Sequence, residues 1–218
     1  MRGIMIQGVI FDMDGTLFDT ESIFQQEWNR IAHEMGFTLP DGFKYEICGT
    51  SGEAMNRVIE KFYHVENGAH IQALCKKRVA DHLKKEVPEK PGCREIIEFL
   101  KGKGYRLSIG SSSPVPLIRS NLEKTGLLPF FDSLTGGEEV KRGKPAPDIF
   151  LLAAEKLGVS PENCYVFEDS PNGIRAAFEA GMKPILVPDL MPVTDEMKEK
   201  ALRIFDTLLD AKEWIERQ

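Results

Sequence analysis

The chain has 218 residues, of which 42% are hydrophobic and 28% are charged, a composition typical of a soluble globular protein. This length allows one sizeable core with an insertion, or two modest domains. The formal net charge of −6 argues against a nucleic-acid or anionic-membrane partner, and no apolar stretch approaches the length of a membrane span.

The first part of the chain predicts one strand followed by helices. Residues 8–11 are apolar and predict a short buried strand, which ends in Asp12-Met13-Asp14-Gly15-Thr16. Apolar residues then recur at helical spacing in three segments, residues 21–35, 52–62 and 68–85. A proline-rich stretch at residues 87–92 ends this region. We therefore predict an inserted all-helical domain at residues 18–87, which could cover a site as a cap.

From residue 91 onward, helix and strand patterns alternate. The predicted strands are residues 105–109, 131–134, 164–167, 184–187 and 203–205, and the predicted helices are residues 93–101, 115–125, 148–157, 172–180, 194–200 and 208–216. Such alternation is typical of a parallel sheet with helices on both faces. We therefore predict an α/β, Rossmann-like core of residues 1–17 and 88–218, with ligands bound beyond the carboxyl ends of the strands.

Two carboxylates, Asp12 and Asp14, follow the first strand. Because strand side chains repeat with a period of two, both can face the same side. Like charges at this spacing are costly unless a cation or a shared proton relieves them. The pair therefore suits a divalent-metal site in which one carboxylate is a nucleophile and the other carries a proton. The alternative is an ordinary turn, since Asp and Gly are common turn residues.

Two further polar segments follow in loops expected at the same edge of the sheet. Residues 110–114 contain Ser111 and Ser112, whose hydroxyl and backbone N–H groups could hold an anion or could cap the next helix. Lys144 lies between Gly143 and Pro145 on a stiff loop, where its ammonium could contact a phosphoryl oxygen. The alternative for Lys144 is an exposed loop lysine.

Two acidic residues, Glu168 and Asp169, end the buried strand predicted at residues 164–167. A carboxylate at the end of a buried strand is costly unless a positively charged group lies beside it. Together with Asp12 and Asp14 they form an oxygen-rich set suited to Mg²⁺. The alternative is that Asp169 or Ser170 only caps the following helix.

The order of these motifs resembles the haloacid dehalogenase superfamily of phosphohydrolases. The chain is most similar to the branch with a helical cap after the first motif, which includes β-phosphoglucomutase and small sugar-phosphate phosphatases. The similarity covers essentially the whole chain. It implies a magnesium-dependent phosphatase that hydrolyses a sugar phosphate or nucleoside monophosphate through a phosphoaspartyl intermediate.

The resemblance also implies a role for each matching residue. Asp12 attacks the phosphorus, while Asp14 protonates the leaving alcohol and then activates water. Ser111, Ser112 and Lys144 hold the phosphoryl oxygens. Magnesium is bound by Asp12, the backbone carbonyl of Asp14, Asp169, and Glu168 either directly or through water.

The same branch contains a mutase, so the resemblance alone does not distinguish hydrolysis from the mutase reaction. The mutase has a histidine on the first cap helix and an arginine further along the cap. The matching positions here are Phe24 and, in Gly49-Thr50-Ser51-Gly52, the final glycine. Hydrolysis is therefore favoured over a hexose-phosphate mutase, although Lys44 or Arg57 could supply a cation nearby.

A phosphosugar-binding regulatory module with little turnover is the alternative of another class, and the presence of a nucleophile argues against it. The cap residues expected to meet the leaving group are Phe24, Trp28, Lys44, Thr50 and Arg57.

The remaining expectations concern cysteines and location. Cys48, Cys75, Cys93 and Cys164 have no metal-binding spacing, which favours reduced thiols in a cytoplasmic protein. The first apolar run is too short for a signal peptide. We expect a cytoplasmic monomer that binds a small phosphorylated metabolite.

Overall fold

The computed structural model describes residues 6–48, 50 and 52–218. Gly49 and Ser51, in the segment compared with the mutase arginine, lie outside the described residues. The elements in chain order are β1 (Gly8–Phe11), α1 (Thr20–Glu34), α2 (Gly42–Ile47), α3 (Gly52–Tyr63), α4 (Gly68–Leu83), α5 (Cys93–Gly102), β2 (Arg106–Ser111), α6 (Val115–Lys124), β3 (Ser133–Gly136), α7 (Asp148–Leu157), β4 (Cys164–Glu168), α8 (Pro171–Glu179), β5 (Lys183–Leu186), α9 (Asp195–Lys200), β6 (Arg203–Ile204) and α10 (Leu208–Glu216). Short 3₁₀ turns occur at Leu128–Phe130, Gly137–Glu139 and Pro161–Asn163.

The strands of the described chain form one six-stranded parallel sheet in the order β3-β2-β1-β4-β5-β6. All four residues of the central strand β1 are buried. Because successive side chains of a strand point to opposite faces, both faces of the sheet are covered at β1. This confirms the predicted α/β, Rossmann-like fold.

The strand order reverses beside β1. The chain adds β2 and β3 on one side of β1, and β4, β5 and β6 on the other. The carboxyl ends of β1 and β4 therefore flank the switch point, where open α/β sheets bind their ligands. Phe11 and Phe167 are register partners at these two ends, and their rings stack with centroids 4.8 Å apart. The stacked rings pack the two strand ends together beneath the switch point.

Contacts divide the chain into two compact units. One includes the chain up to Phe18 and from Pro88 onward, and holds the sheet. The other is Asp19–Val87, whose described residues form helices α1 to α4. The first boundary lies one residue after the predicted one.

Helix α2 is a correction to the sequence prediction, which placed no helix between residues 35 and 52. The helix begins at Gly42, and its residues Phe43 and Ile47 are buried one turn apart. The Phe43 ring lies 6.1 Å from the Trp28 ring and 5.9 Å from the Tyr63 ring, between centroids. A helix this short depends on such packing rather than on its own propensity, which explains why the local pattern did not reveal it.

Two further expectations from the sequence concern the state of the cysteines and the absence of a membrane-spanning segment. In the part of the chain that the structure describes, no disulfide joins any of the four cysteines. Among the helices that the structure describes, none combines the length and the apolar character needed to cross a bilayer.

Candidate active site

The polar residues after β1 are tied to the neighbouring strand β4. The Asp12 N–H donates to the Phe167 carbonyl at 2.9 Å, and the Asp12 residue is only 6% exposed. Gly15 then turns the chain with a φ of +87°, and a Cβ there would lie 2.6 Å from Asp169 Oδ2. A side chain at position 15 would therefore be strained in the backbone and would also collide with Asp169.

Lys144 is buried between two carboxylates. Its Nζ donates to Asp12 Oδ1 at 2.5 Å and to Glu168 Oε1 at 2.7 Å. The side chains of Lys144, Asp12 and Glu168 are 7%, 8% and 1% exposed. Nζ also lies 4.7 Å from the centre of the Phe150 ring. Lys144 is therefore no exposed loop lysine, because its ammonium joins the ends of β1 and β4.

Burial and charge shift the pKa values of this cluster. Burial, together with the charges of Glu168 and Asp14, raises the pKa of Asp12 to about 8, although Lys144 opposes the rise. Burial lowers the pKa of Lys144, but the charges of Asp12 and Glu168 outweigh it and the net shift is upward. Two carboxylates, Asp12 and Glu168, face one ammonium, so when both are ionised the cluster holds more negative charge than Lys144 balances. A proton or a further cation would relieve the surplus.

Glu168 organises the loop after β4. Its Oε2 accepts hydrogen bonds from the Asp169 N–H at 2.9 Å, the Ser170 N–H at 2.8 Å and the Ser170 hydroxyl at 2.9 Å. A Cβ at Gly173 would lie 1.7 Å from Glu168 Oε1, so only glycine fits there. Ser170 also caps α8, because its Oγ accepts from the Gly173 N–H at 3.0 Å. The capping alternative is therefore correct for Ser170.

Three carboxylates are close enough to share a metal ion. Ligand oxygens of Asp12, Glu168 and Asp169 all lie within 4.8 Å of one another. The Thr16 hydroxyl donates to Asp169 Oδ1 at 3.2 Å, which helps to orient that side chain. A donor set made only of oxygens fits a hard dication such as Mg²⁺, and such an ion would balance the surplus negative charge. Among the described residues, the Asp14 carboxylate does not belong to this group.

The serine segment differs from its predicted structure. Strand β2 extends to Ser111, two residues beyond the predicted end, because Ser111 pairs in register with Gly136 of β3. Ser111 is therefore a buried strand residue, whereas Ser112 lies in the loop and is exposed. Helix α6 begins at Val115, its N-cap residue is Pro114, and the Val115 N–H donates to Glu138 Oε1 at 2.8 Å. The capping alternative is wrong for these serines.

Two serine hydroxyls meet the Asp14 carboxylate instead. Ser113 Oγ donates to Asp14 Oδ2 at 2.7 Å, and Ser111 Oγ approaches the same oxygen at 3.4 Å. Sequence reasoning did not select Ser113. In the sequence, Ser113 is one of three consecutive serines. That pattern does not indicate which of the three hydroxyl groups faces Asp14.

The five predicted substrate residues of the unit Asp19–Val87 do not all come together. Phe24, Trp28 and Thr50 line a cavity of about 60 Å³. Among the described residues, Lys44 and Arg57 are not part of its lining. Lys44 Nζ lies 4.8 Å from the centre of the Tyr45 ring, and Arg57 pairs with the exposed Glu53 at 3.9 Å. The structure therefore groups the aromatic residues and Thr50, but not the two cations.

We predict that Lys144→Met lowers the free energy of unfolding by about 3–5 kcal/mol, because two carboxylates lose their buried partner. The loss should be larger at pH 9 than at pH 6. Lys144 opposes the rise of the Asp12 pKa, which is about 8, so its removal raises that pKa further. A carboxyl with a raised pKa stabilises the fold while protonated, and this stabilisation falls as the pH rises through the pKa. In Lys144→Met the Asp12 pKa is higher, so the stabilisation by protonated Asp12 continues to fall at pH values where it is already lost in the wild type.

Urea unfolding of both proteins in chelator-containing buffer measures this difference. The exposed Lys141→Met is the matched control and should change stability little. An equal loss at pH 6 and pH 9 would contradict the electrostatic account of the cluster.

Comparison with known proteins identifies relatives along most of the chain. A phosphorylated carbohydrates phosphatase from Thermotoga maritima is 36% identical over 184 residues, which covers 83% of this chain and 84% of that protein. A probable pseudouridine-5'-phosphatase from Drosophila melanogaster is 32% identical over 209 residues, with 93% and 90% covered. The solved structure of a putative β-phosphoglucomutase from Thermotoga maritima matches with a TM-score of 0.80 and 29% identity, covering 97% of this chain and 99% of that one.

A family model described as haloacid dehalogenase-like hydrolase matches residues 9–187. The matched region runs from β1 to the residue after β5, and includes Asp12, Lys144 and Asp169. This confirms the resemblance found in the sequence. The chain belongs to the haloacid dehalogenase-like hydrolase family.

Proposed function

We propose that this protein is a magnesium-dependent phosphatase that hydrolyses a small phosphate monoester through a phosphoaspartyl intermediate. The observation that carries the proposal is the buried Lys144, which contacts both Asp12 and Glu168 at the switch point of the sheet. An ammonium held beside a carboxylate nucleophile is suited to attract a phosphate and to stabilise its charge. The phosphatase names of the two relatives support the same reaction.

In the first half-reaction, an Asp12 carboxylate oxygen attacks the phosphorus of the monoester. The bond between phosphorus and the leaving oxygen breaks, and Asp14 transfers its proton to that oxygen, so the leaving group departs as a neutral alcohol. Lys144 and the serines Ser111 and Ser112 hold the phosphoryl oxygens during the transfer. The products of this step are the alcohol, ionised Asp14 and an acyl phosphate on Asp12.

In the second half-reaction, Asp14 acts as a base. It takes a proton from a water molecule while the water oxygen attacks the phosphorus. The bond between phosphorus and the Asp12 oxygen then breaks, which releases inorganic phosphate. Asp12 is again ionised and Asp14 again carries a proton, so the enzyme returns to its starting state.

The residues proposed to hold the magnesium ion are Asp12, Asp169 and the Asp14 backbone carbonyl, with Glu168 through water. Both Glu168 oxygens already accept hydrogen bonds from Lys144 and from the loop after β4, which favours the indirect contact. When bound, the ion would supply positive charge that offsets repulsion between carboxylate and phosphate. Two unit charges about 4 Å apart repel by about 4 kcal/mol at an effective dielectric constant near 20.

Hydrolysis is favoured over the mutase reaction, although a likeness to a structure named as a putative β-phosphoglucomutase keeps the mutase as the second candidate. A mutase must hold a bisphosphate intermediate at both ends. Phe24 and Gly52 stand where the mutase is expected to have a histidine and an arginine, and neither can bind a phosphate through its side chain. We propose that Phe24, Trp28 and Thr50 contact the leaving group, which would be a sugar or a nucleoside.

We predict that Asp12→Asn abolishes turnover while the protein stays folded. The amide has nearly the shape of the carboxylate but cannot act as the nucleophile. Phosphate release measures turnover and circular dichroism measures the fold, with the exposed Asp195→Asn as the control of the same chemistry. Turnover like that of the wild type would contradict the assignment of Asp12.

We predict that removing divalent metal with excess EDTA abolishes phosphate release and that added Mg²⁺ restores it. The surplus of carboxylate charge in the site is the physical reason. The same titration followed by thermal unfolding should show that Mg²⁺ raises Tm, and that Asp169→Asn weakens this effect. An undiminished rate in EDTA would reject the metal site.

We predict that a panel of phosphate monoesters, ranked by kcat/KM, finds efficient hydrolysis of a sugar phosphate or a nucleoside monophosphate. Glucose 1-phosphate with a catalytic amount of glucose 1,6-bisphosphate tests the mutase alternative, and we expect no glucose 6-phosphate. Its formation at a rate above phosphate release would favour the mutase. Tight binding of a monoester without turnover would favour a binding module.

A further inference from the structure

The Asp14 side chain is held by the loop that joins β2 to α6. Ser113 lies in this loop, 99 residues from Asp14, and its hydroxyl donates to Asp14 Oδ2 at 2.7 Å. Ser111 Oγ approaches the same oxygen at 3.4 Å. Hydrogen bonds between hydroxyl and carboxylate oxygens are usually about 2.5–3.0 Å long, so only the Ser113 contact has ordinary length. Ser113 is therefore the main partner of Asp14 in this loop.

The Ser113 backbone is itself fixed. Its N–H donates to Ser111 Oγ at 3.1 Å, and its carbonyl accepts from the Gly137 N–H at 3.2 Å. Pro114 follows and restricts Ser113 to extended conformations. The Ser113 hydroxyl thus starts from a rigid backbone, so its hydrogen bond restricts the orientation of the Asp14 carboxylate.

The two serines differ in what their hydroxyl protons can do. Ser111 Oγ already accepts a hydrogen bond from the Ser113 N–H, and its long contact with Asp14 is weak. Its proton can move to a phosphoryl oxygen at little cost. The Ser113 hydroxyl already donates its proton to Asp14 in a short hydrogen bond. The loop therefore separates phosphate binding from the orientation of the proton carrier.

We propose that Ser113 is a positioning residue that holds the Asp14 carboxyl in place for both proton transfers, while Ser111 serves the phosphoryl group. This inference rests on the proposed function. The Val115 N–H that begins α6 donates to Glu138 Oε1 at 2.8 Å, so the Ser113 hydroxyl is not needed to cap that helix. Its observed hydrogen bond is the one to Asp14.

Ser113→Ala should lower kcat for an alkyl phosphate about tenfold, which corresponds to about 1.4 kcal/mol, with less than about twofold change in KM. An alkoxide is a poor leaving group and needs the Asp14 proton. With 4-nitrophenyl phosphate the leaving group needs no proton, so nitrophenolate release in a single turnover should keep its wild-type rate. Ser113→Thr retains a hydroxyl and should restore kcat for the alkyl phosphate. Ser120→Ala in α6 is the control.

A double-mutant cycle tests whether Ser113 acts through Asp14. In an Asp14→Ala background, Ser113→Ala should cause no further loss. If alanine disturbs the loop, Ser113→Cys keeps the volume with a much weaker donor and should give the same pattern. An active wild type with an unaffected Ser113→Ala variant, or equal losses in both backgrounds, would overturn this inference alone. A wild type that hydrolyses no phosphate monoester would instead overturn the proposed function, and this inference with it.

Discussion

The buried contact of Lys144 with Asp12 and Glu168 is the constraint on which the site depends. Taking three charges out of water costs several kcal/mol for each ion, and the cost is recovered only when the geometry is good. Here one ammonium lies 2.5 Å from one carboxylate oxygen and 2.7 Å from the other. The cluster joins the end of β1, the loop before α7 and the end of β4. Removing any one member of such a cluster leaves an uncompensated buried charge, so the three side chains depend on one another.

The parallel sheet makes that cluster possible. Strand order reverses between β1 and β4, so two strands far apart in sequence end side by side with their polar residues at one edge. The Asp12 N–H continues the pairing with β4, and Phe11 stacks on Phe167 below it. The acidic residues are therefore placed by backbone pairing and aromatic packing, which are stiff, rather than by the flexible ends of loops.

Charge and hydrogen bonds have different effects in the site. Burial raises the pKa of Asp12 even though Lys144 opposes the rise, so the cluster favours an added positive charge. Glu168 directs one oxygen to Lys144 and the other to the loop after β4, and Asp14 is held from another loop by a serine hydroxyl. Asp12, Lys144 and Asp14 are thus oriented by different elements of one unit, and Asp14 is held by a loop that is remote in sequence.

Local sequence alone determined the fold class, the acidic pairs at the ends of β1 and β4, and several element bounds, since α7 and α10 begin and end as predicted. Apolar periodicity and turn residues act over a few residues, so they can be read directly. Only tertiary structure decided the rest. Packing on Trp28 and Tyr63 made α2 a helix, and pairing with β3 drew Ser111 into β2. Of three consecutive serines, Ser113 holds Asp14 because the fold brings them together, and no local pattern distinguishes identical neighbours.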